Sequence, residues 1–284
     1  MNRIVYLNGN YLPEDEAKIS IFDRAVLFGD AIYEVAGVID GKLIDFESHM
    51  LRYHHSLDKL EIPAPLNSNE ILTAFRKLVI LNELTEGLVY MQVTRGVADR
   101  DFVWQGELKP TVLMFTQAKM PAENEAAIAG VRLKSVDDIR WARRDIKSVN
   151  LLGQVLAKKA ASDSGAYEAL MIDSDGYITE CGATSFFIVK DDLLLTRPLS
   201  NEILAGITRK SVIALCNTHG IRLVETRYLL EDALKADEAF ISGASSYLLP
   251  VVQIDNQIIG SGTPGPMFKM LRKIYLEHVR ATAI

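Results

Sequence analysis

The chain has 284 residues, 49% of them hydrophobic and 24% charged, with a formal net charge of −6. That length suits two modest domains, and the balance is that of an ordinary soluble globular protein. No basic block or basic-aromatic alternation appears, which excludes nucleic acid as an expected partner, and no apolar run reaches the roughly 20 residues of a membrane span.

Residues 4–12 predict a hairpin turned at Asn8-Gly9, because both residues tolerate positive φ. The opening stretch Met1–Leu7 is too short and soon too polar for a signal peptide, so a cytoplasmic location is expected. Phe28–Val35 enters a β-rich segment, and Asp40-Gly41 turns the chain back into Lys42–Ile44. Phe46, Met50, Leu51, Leu57 and Leu60 return at helical spacing and predict a helix over 46–60. A second helix is expected over 68–82, with Ser68 as candidate N-cap. Strands follow at 88–95 and 111–116. The connection between them is polar, long for a compact domain, and displays Arg100, Phe102 and Trp104. Loops of that kind often carry function.

Residues 120–124 read as a linker, which gives a smaller N-terminal α/β domain at 1–119 and a larger C-terminal domain at 125–284. In the second half, strands are expected at 131–136, 167–172, 176–180, 184–189, 192–195, 221–226, 238–242 and 248–254. Helices are expected at 151–163, 206–218 and about 265–281. Strands mixed with helices in this way indicate an α+β (mixed α/β) fold. Cys181 and Cys216 stand far apart, outside any C-x-x-C or zinc spacing, and read as buried free thiols; no metal is expected.

Four stretches carry candidate chemistry. Lys147 sits in an uncharged run after Arg140, Arg143 and Arg144, with Asp145 beside it. A lysine attacks a carbonyl only as the neutral amine. Nearby arginines would favour that form and Asp145 would oppose it. On composition alone Lys147 reads as a surface lysine. Glu180, before the small-residue bend at Cys181-Gly182, suits a protonated ring nitrogen or an exposed strand end. Gly206-Ile207-Thr208 opens a helix and suits a phosphate or an ordinary N-cap, and Ser242–Ser246 is a second small-residue turn. Arg52 could neutralise a phosphate or solvate its helix; His49, His54 and His55 around it read as surface histidines.

Singly these are weak signals. Together, an amine, a carboxylate for a ring nitrogen, a phosphate seat and an arginine are what a pyridoxal phosphate site requires. With Phe28–Val35, Gln92–Gly96, Asp138–Gly153, Ile178–Glu180 and Gly206–Arg209, the chain resembles the fold-type IV pyridoxal-phosphate enzymes. It is most similar to the D-amino acid aminotransferases. Relatives include branched-chain aminotransferases, (R)-selective amine transaminases and aminodeoxychorismate lyases.

The resemblance implies pyridoxal 5′-phosphate held between the two domains of a homodimer whose active sites are shared across the interface. It implies that Lys147 is the catalytic residue, bonded to the cofactor as an imine and carrying a proton between substrate Cα and cofactor. Glu180 pairs with the pyridine nitrogen and Leu204 packs on the ring. Arg52, Ile207, Thr208, Gly243 and Ala244 hold the phosphate. Tyr33 faces the substrate, while Tyr90 and Arg100 reach the neighbouring subunit's site to bind the α-carboxylate. Phe102 stands where the D-amino acid enzymes carry a histidine, and Ala244 where a hydroxyl residue is usual. The implied reaction is ping-pong transamination between D-amino acids and 2-oxo acids, D-alanine plus 2-oxoglutarate giving pyruvate plus D-glutamate. Phe102 leaves open an (R)-selective amine or branched-chain amino acid transaminase as the alternative, and the resemblance also admits an aminodeoxychorismate lyase.

Overall fold

The computed structural model describes residues 3–284; Met1 and Asn2, the start of the stretch read above for a signal peptide, lie outside the described residues. The chain folds as two compact units. The first comprises the chain up to Met120, together with Ile146–Asn150 and Val279–Ile284; the second comprises Pro121–Asp145 and Leu151–His278. Lys147 thus packs with the first unit, although it lies within the stretch 125–284 assigned above to the C-terminal domain.

The first unit is built on an antiparallel six-stranded sheet. Its elements are β1 (Ile4–Leu7), β2 (Asn10–Pro13), α1 (Arg24–Phe28), β3 (Ala31–Ile39), β4 (Lys42–Leu43), α2 (Phe46–Leu60), α3 (Ser68–Leu81), β5 (Gly87–Thr94) and β6 (Thr111–Ala118). The strand order is β2-β1-β6-β5-β3-β4. The Asn8-Gly9 turn forms as expected, with φ of 49° and 95°. Asp23 caps α1, its Oδ1 accepting from Ala25 N, and Gly29 stops the helix in the left-handed region at φ 67°. Phe28, expected to lead into the strand, instead ends this short capped helix, and β3 begins at Ala31. The cap of α3 is Asn67 rather than Ser68: Asn67 Oδ1 accepts from Asn69 and Glu70 N–H groups, while Glu70 Oε2 accepts from Asn67 N. The helices pack Phe46, Met50, Tyr53, Leu57, Phe75 and Leu78 against Ile32, Val89, Met91 and Val93 of the sheet.

The second unit holds α4 (Ala126–Ala129), β7 (Val131–Asp137), α5 (Leu152–Asp163), β8 (Glu168–Ile172), β9 (Ile178–Cys181), β10 (Ser185–Lys190), β11 (Leu193–Thr196), α6 (Ile207–Thr218), β12 (Leu223–Glu225), α7 (Leu230–Leu234), β13 (Glu238–Gly243), β14 (Tyr247–Ile254), β15 (Gln257–Ile258) and α8 (Pro266–Thr282); the last residues of α8 fall to the first unit. The sheet order is β12-β11-β10-β13-β14-β7-β8-β9, with β15 on β14. Pairing is mixed: β11/β12, β14/β7 and β7/β8 are parallel. Parallel neighbours need long crossovers, and the crossover from β7 to β8 contains both the lysine segment and α5. Cys181 and Cys216 are buried free thiols. Together the two units give the α+β fold expected.

Candidate active site

The lysine segment is held like an extra short strand beside β3. Tyr33 N donates to Lys147 O at 2.9 Å, Val149 N donates to Ala31 O at 3.1 Å, and Ile32 bridges Ser148. Ile146 is 3% exposed in the first core, and Lys147 N donates to Ser56 Oγ at 3.2 Å. These bonds outweigh sequence proximity in deciding where the segment packs. Nζ of Lys147 lies 4.1 Å from the Tyr33 ring centroid. Among the described residues no carboxylate pairs with it. The three arginines upstream are each paired with a carboxylate: Arg140 with Asp138 and Glu180, Arg143 with Asp145, Arg144 with Asp138.

Arg52 and His49 lie one turn apart on α2, on the face that packs against β3. Arg52 Nε and Nη2 donate to Glu34 Oε1 and Oε2, both at 2.8 Å, and His49 Nδ1 lies 2.8 Å from Oε2. All three side chains are buried, so His49 is not the surface histidine expected. His54 is half-buried and His55 exposed. Burial alone would raise the Glu34 carboxyl, but the charge and hydrogen bonds of Arg52, with His49 beside it, hold it at about 2.

Tyr33 stacks on Tyr90 with centroids 5.6 Å apart, and Tyr90 stacks in turn on Phe115 at 4.6 Å. The Tyr90 hydroxyl donates to Gln92 Oε1 at 2.9 Å. Tyr90 is therefore in contact with Tyr33 of its own chain. Arg100 is exposed on the long loop, its guanidinium 5.7 Å from the rings of both Phe28 and Phe102.

In the second unit, Glu180 on β9 is 6% exposed. Its Oε1 accepts from Arg140 Nη1 at 2.6 Å and from Leu204 N at 3.1 Å. Burial pushes this carboxyl above its ordinary value; Arg140 and the Leu204 N–H only partly offset that. Arg140 is itself aligned by Asp138, which accepts from its Nε and Nη2, while Thr179 Oγ1 donates to Asp138 Oδ2 at 2.7 Å.

Gly206 opens α6 with no side-chain cap, so the N–H groups of its first turn are left for another acceptor, and Ile207 and Thr208 there are buried. A Cβ on Gly206 would stand 2.7 Å from Ser185 Oγ, which only glycine avoids without a shift. On β13 and the turn after it, a Cβ on Gly243 would stand 3.0 Å from Thr184 Cγ2 and 3.6 Å from Ser246 Oγ. Ser242 Oγ and Ser246 Oγ are buried without a hydrogen-bond partner, a cost tolerated where a ligand supplies the acceptor. Ala244 adds no hydroxyl, and Leu204 is half-buried, its N–H committed to Glu180.

Residues 31–254 match the family described as amino-transferase class IV. The chain belongs to amino-transferase class IV. The class IV chain is 36% identical to a D-alanine aminotransferase of Bacillus licheniformis over 265 residues, 93% of each chain. It is 34% identical to that of Staphylococcus haemolyticus, over 98% of each. Among solved structures it superposes on a branched-chain amino acid aminotransferase of T.th. with pyridoxamine 5′-phosphate, at a TM-score of 0.93 and 26% identity, covering 99% of this chain and 95% of the other. Each unit, taken by itself, carries residues whose chemistry fits part of a pyridoxal phosphate group. In the first, Lys147 offers an amine with no ion-pair partner among the described residues. In the second, the uncapped start of α6 and the buried hydroxyls of Ser242 and Ser246, without a partner among the described residues, offer donors for a phosphate.

The sequence reading leaves out Glu34 and Ser56 and takes the buried His49 for a surface residue. The available signal was an acidic residue inside the branched run Ile32-Tyr33-Glu34-Val35, with His49, Arg52 and Ser56 at helical spacing on one stripe of α2. Reading that stripe required knowing that α2 lies on β3.

Proposed function

We propose that this aminotransferase moves the amino group of D-amino acids to 2-oxo acids by a ping-pong reaction, in the sense D-alanine plus 2-oxoglutarate to pyruvate plus D-glutamate. The observation that carries the reading is the 33–36% identity to D-alanine aminotransferases over nearly the whole chain, with Arg100 available for a substrate carboxylate. Its cofactor is pyridoxal 5′-phosphate, which supplies an electron sink for the pair left when substrate Cα loses its proton. We assign Lys147 Nζ to hold the cofactor and to move that proton. Both contacts of Glu180 fall on Oε1, which leaves Oε2 to keep a ring nitrogen protonated. Arg52, the N–H groups of Ile207 and Thr208, and the turn at Gly243-Ala244 are assigned to the phosphate, with Leu204 against the ring. Tyr33 and Tyr90 flank the substrate, and Arg100 forks onto its carboxylate.

Incubation with D-alanine and 2-oxoglutarate yields pyruvate and D-glutamate, and a K147A protein yields neither above background. If wild type and K147A give the same product, the reading is wrong. A second reading, a branched-chain or (R)-amine transaminase, is favoured by the superposition on the branched-chain enzyme and by Phe102. L-leucine or (R)-1-phenylethylamine turned over ten times faster than D-alanine would promote it.

The working form we propose is a cytoplasmic homodimer in which Arg100 serves the neighbouring subunit; the buried free cysteines are in keeping with a reducing compartment. Mixing K147A and R100A subunits then regenerates activity well above either parent, since some mixed sites carry both intact residues. No gain after subunit exchange would place Arg100 at its own chain's site.

A further inference from the structure

The loop that carries Arg100 is bracketed by α1 and the residue two beyond it. Arg24 is 4% exposed at its side chain and spends three donors on three acceptors. Nε donates to Asp30 Oδ2 at 2.8 Å, Nη1 to Asp101 O at 2.7 Å and Nη2 to Phe102 O at 3.3 Å. The acceptors at Asp101 and Phe102 are backbone carbonyls of the two residues directly after Arg100. The same guanidinium lies over the rings of Phe28 at 4.7 Å and Trp104 at 5.5 Å. Phe28 in turn touches the Phe102 ring at 5.4 Å and the Arg100 guanidinium at 5.7 Å.

Asp30 joins the bracket to the body of the unit. Arg95 Nε and Nη2 donate to its two oxygens at 2.7 and 3.0 Å, and Arg95 covers the Trp104 ring at 3.7 Å. Backbone bonds zip the two segments at their base: Arg24 N to Gly96 O at 2.9 Å and Ala98 N to Phe22 O at 3.2 Å. The loop's large side chains are otherwise exposed, Phe102 by 75% and Val103 by 69%, so apolar burial does not fix its path. A buried arginine clamping carbonyls does.

We propose that Arg24 is a positioning residue for substrate specificity: it fixes the backbone beside Arg100 and Phe102 so that Arg100 is presented to the substrate carboxylate. This rests on the assignment of Arg100 above. Lysine cannot reproduce the clamp, because one ammonium on a flexible stem does not present a rigid fork to three acceptors.

The test uses R24K in the full-length, cofactor-loaded protein, in a W141F background so that Trp104 is the only tryptophan. Variants enter the comparison with cofactor absorbance and melting temperature close to wild type. The expected result is a fall in Trp104 fluorescence anisotropy. With it, KM for D-alanine rises about tenfold while kcat changes less than about threefold, because uniform binding of the carboxylate is what is lost. F28L, which leaves every charge in place, shifts both readouts the same way by less. R24K added to R100A costs no further KM. Unchanged Trp104 anisotropy overturns the bracket. A loosened Trp104 with unchanged KM, or a full second loss in the double variant, overturns its link to substrate. If wild type itself turns over no D-amino acid, the substrate reading fails, and anisotropy alone still decides whether Arg24 holds the loop.

Discussion

Arg52 grips Glu34 through a two-pronged fork, Nε to Oε1 and Nη2 to Oε2 at 2.8 Å each, in a place where both side chains are buried. An arginine assigned to a phosphate is thus aimed by a carboxylate from the neighbouring strand. The arrangement fixes the side chain before any ligand arrives.

The first prediction concerns acid. Glu34 titrates at about 2 in the folded chain against an ordinary value of 4.5. A depressed carboxylate contributes stability that is complete above the unfolded value and is lost as pH falls through the folded one. Urea midpoints of wild type should therefore fall between about pH 5 and about pH 2. E34Q should cost about 3–5 kcal/mol at neutral pH, since it strands a buried guanidinium, and should flatten that acid slope. An E34Q protein as stable as wild type at pH 7 would mean that the pair contributes nothing there.

Glu180 behaves in the opposite sense. Burial raises its carboxyl above the ordinary value in the chain without cofactor. Such a group contributes stability that is complete below the unfolded value and is lost as pH rises through the folded one. Without cofactor, wild type should lose stability relative to E180Q as pH climbs past the ordinary carboxylate range. A protonated ring nitrogen opposite Glu180 favours the ionised form and should reverse the order in the loaded protein. Paired unfolding curves from pH 4.5 to 8, with and without pyridoxal phosphate, test this; parallel curves in both states would remove Glu180 from the ring. The transamination rate of E180Q should drop by about a hundredfold.

The phosphate seat proposed at the start of α6 is tested by sterics. In G206A the new methyl meets Ser185 Oγ at 2.7 Å and Arg209 Cβ at 3.3 Å, while the backbone angle of −64° suits any residue. Cofactor affinity should fall about tenfold, near 1.4 kcal/mol, as the helix start shifts. Adding S185A removes the nearer clash and should restore binding to within about twofold. Titration of cofactor absorbance measures both, and a double variant no better than G206A would place the loss elsewhere.

Sequence pattern reached the elements that depend on local chemistry. The Asn8-Gly9 hairpin, α2, α3, α6 and the strand carrying Glu180 follow from periodicity and turn residues. The short helices α1, α4 and α7 escaped because none is longer than one or two turns, too short for an apolar stripe to repeat. The packing of Lys147 escaped for a different reason. It depends on Ile146 entering a core whose other members lie more than thirty residues away in sequence, and on backbone bonds to β3. The ion pairs Glu34–Arg52 and Arg140–Glu180 were hidden in the same way, since each joins residues distant in sequence.

Phe102 bears most directly on substrate choice. It is 75% exposed, so F102H should alter folding stability by no more than about 0.5 kcal/mol. An imidazole at this position keeps a flat ring against Phe28 and adds a donor close to Arg100, whose guanidinium lies 5.7 Å from the present ring. A further hydrogen bond to a charged carboxylate stabilises binding by about 1.5 kcal/mol, roughly tenfold in affinity. KM for D-alanine should fall by that factor. Turnover of (R)-1-phenylethylamine, which has no carboxylate to bind, should not improve. The quantity to measure is the ratio of kcat/KM for the two donors in wild type and F102H. A ratio that rises about tenfold assigns this loop to carboxylate recognition; a ratio that stays put, in a protein of unchanged stability, means that neither Phe102 nor its neighbour Arg100 faces the substrate.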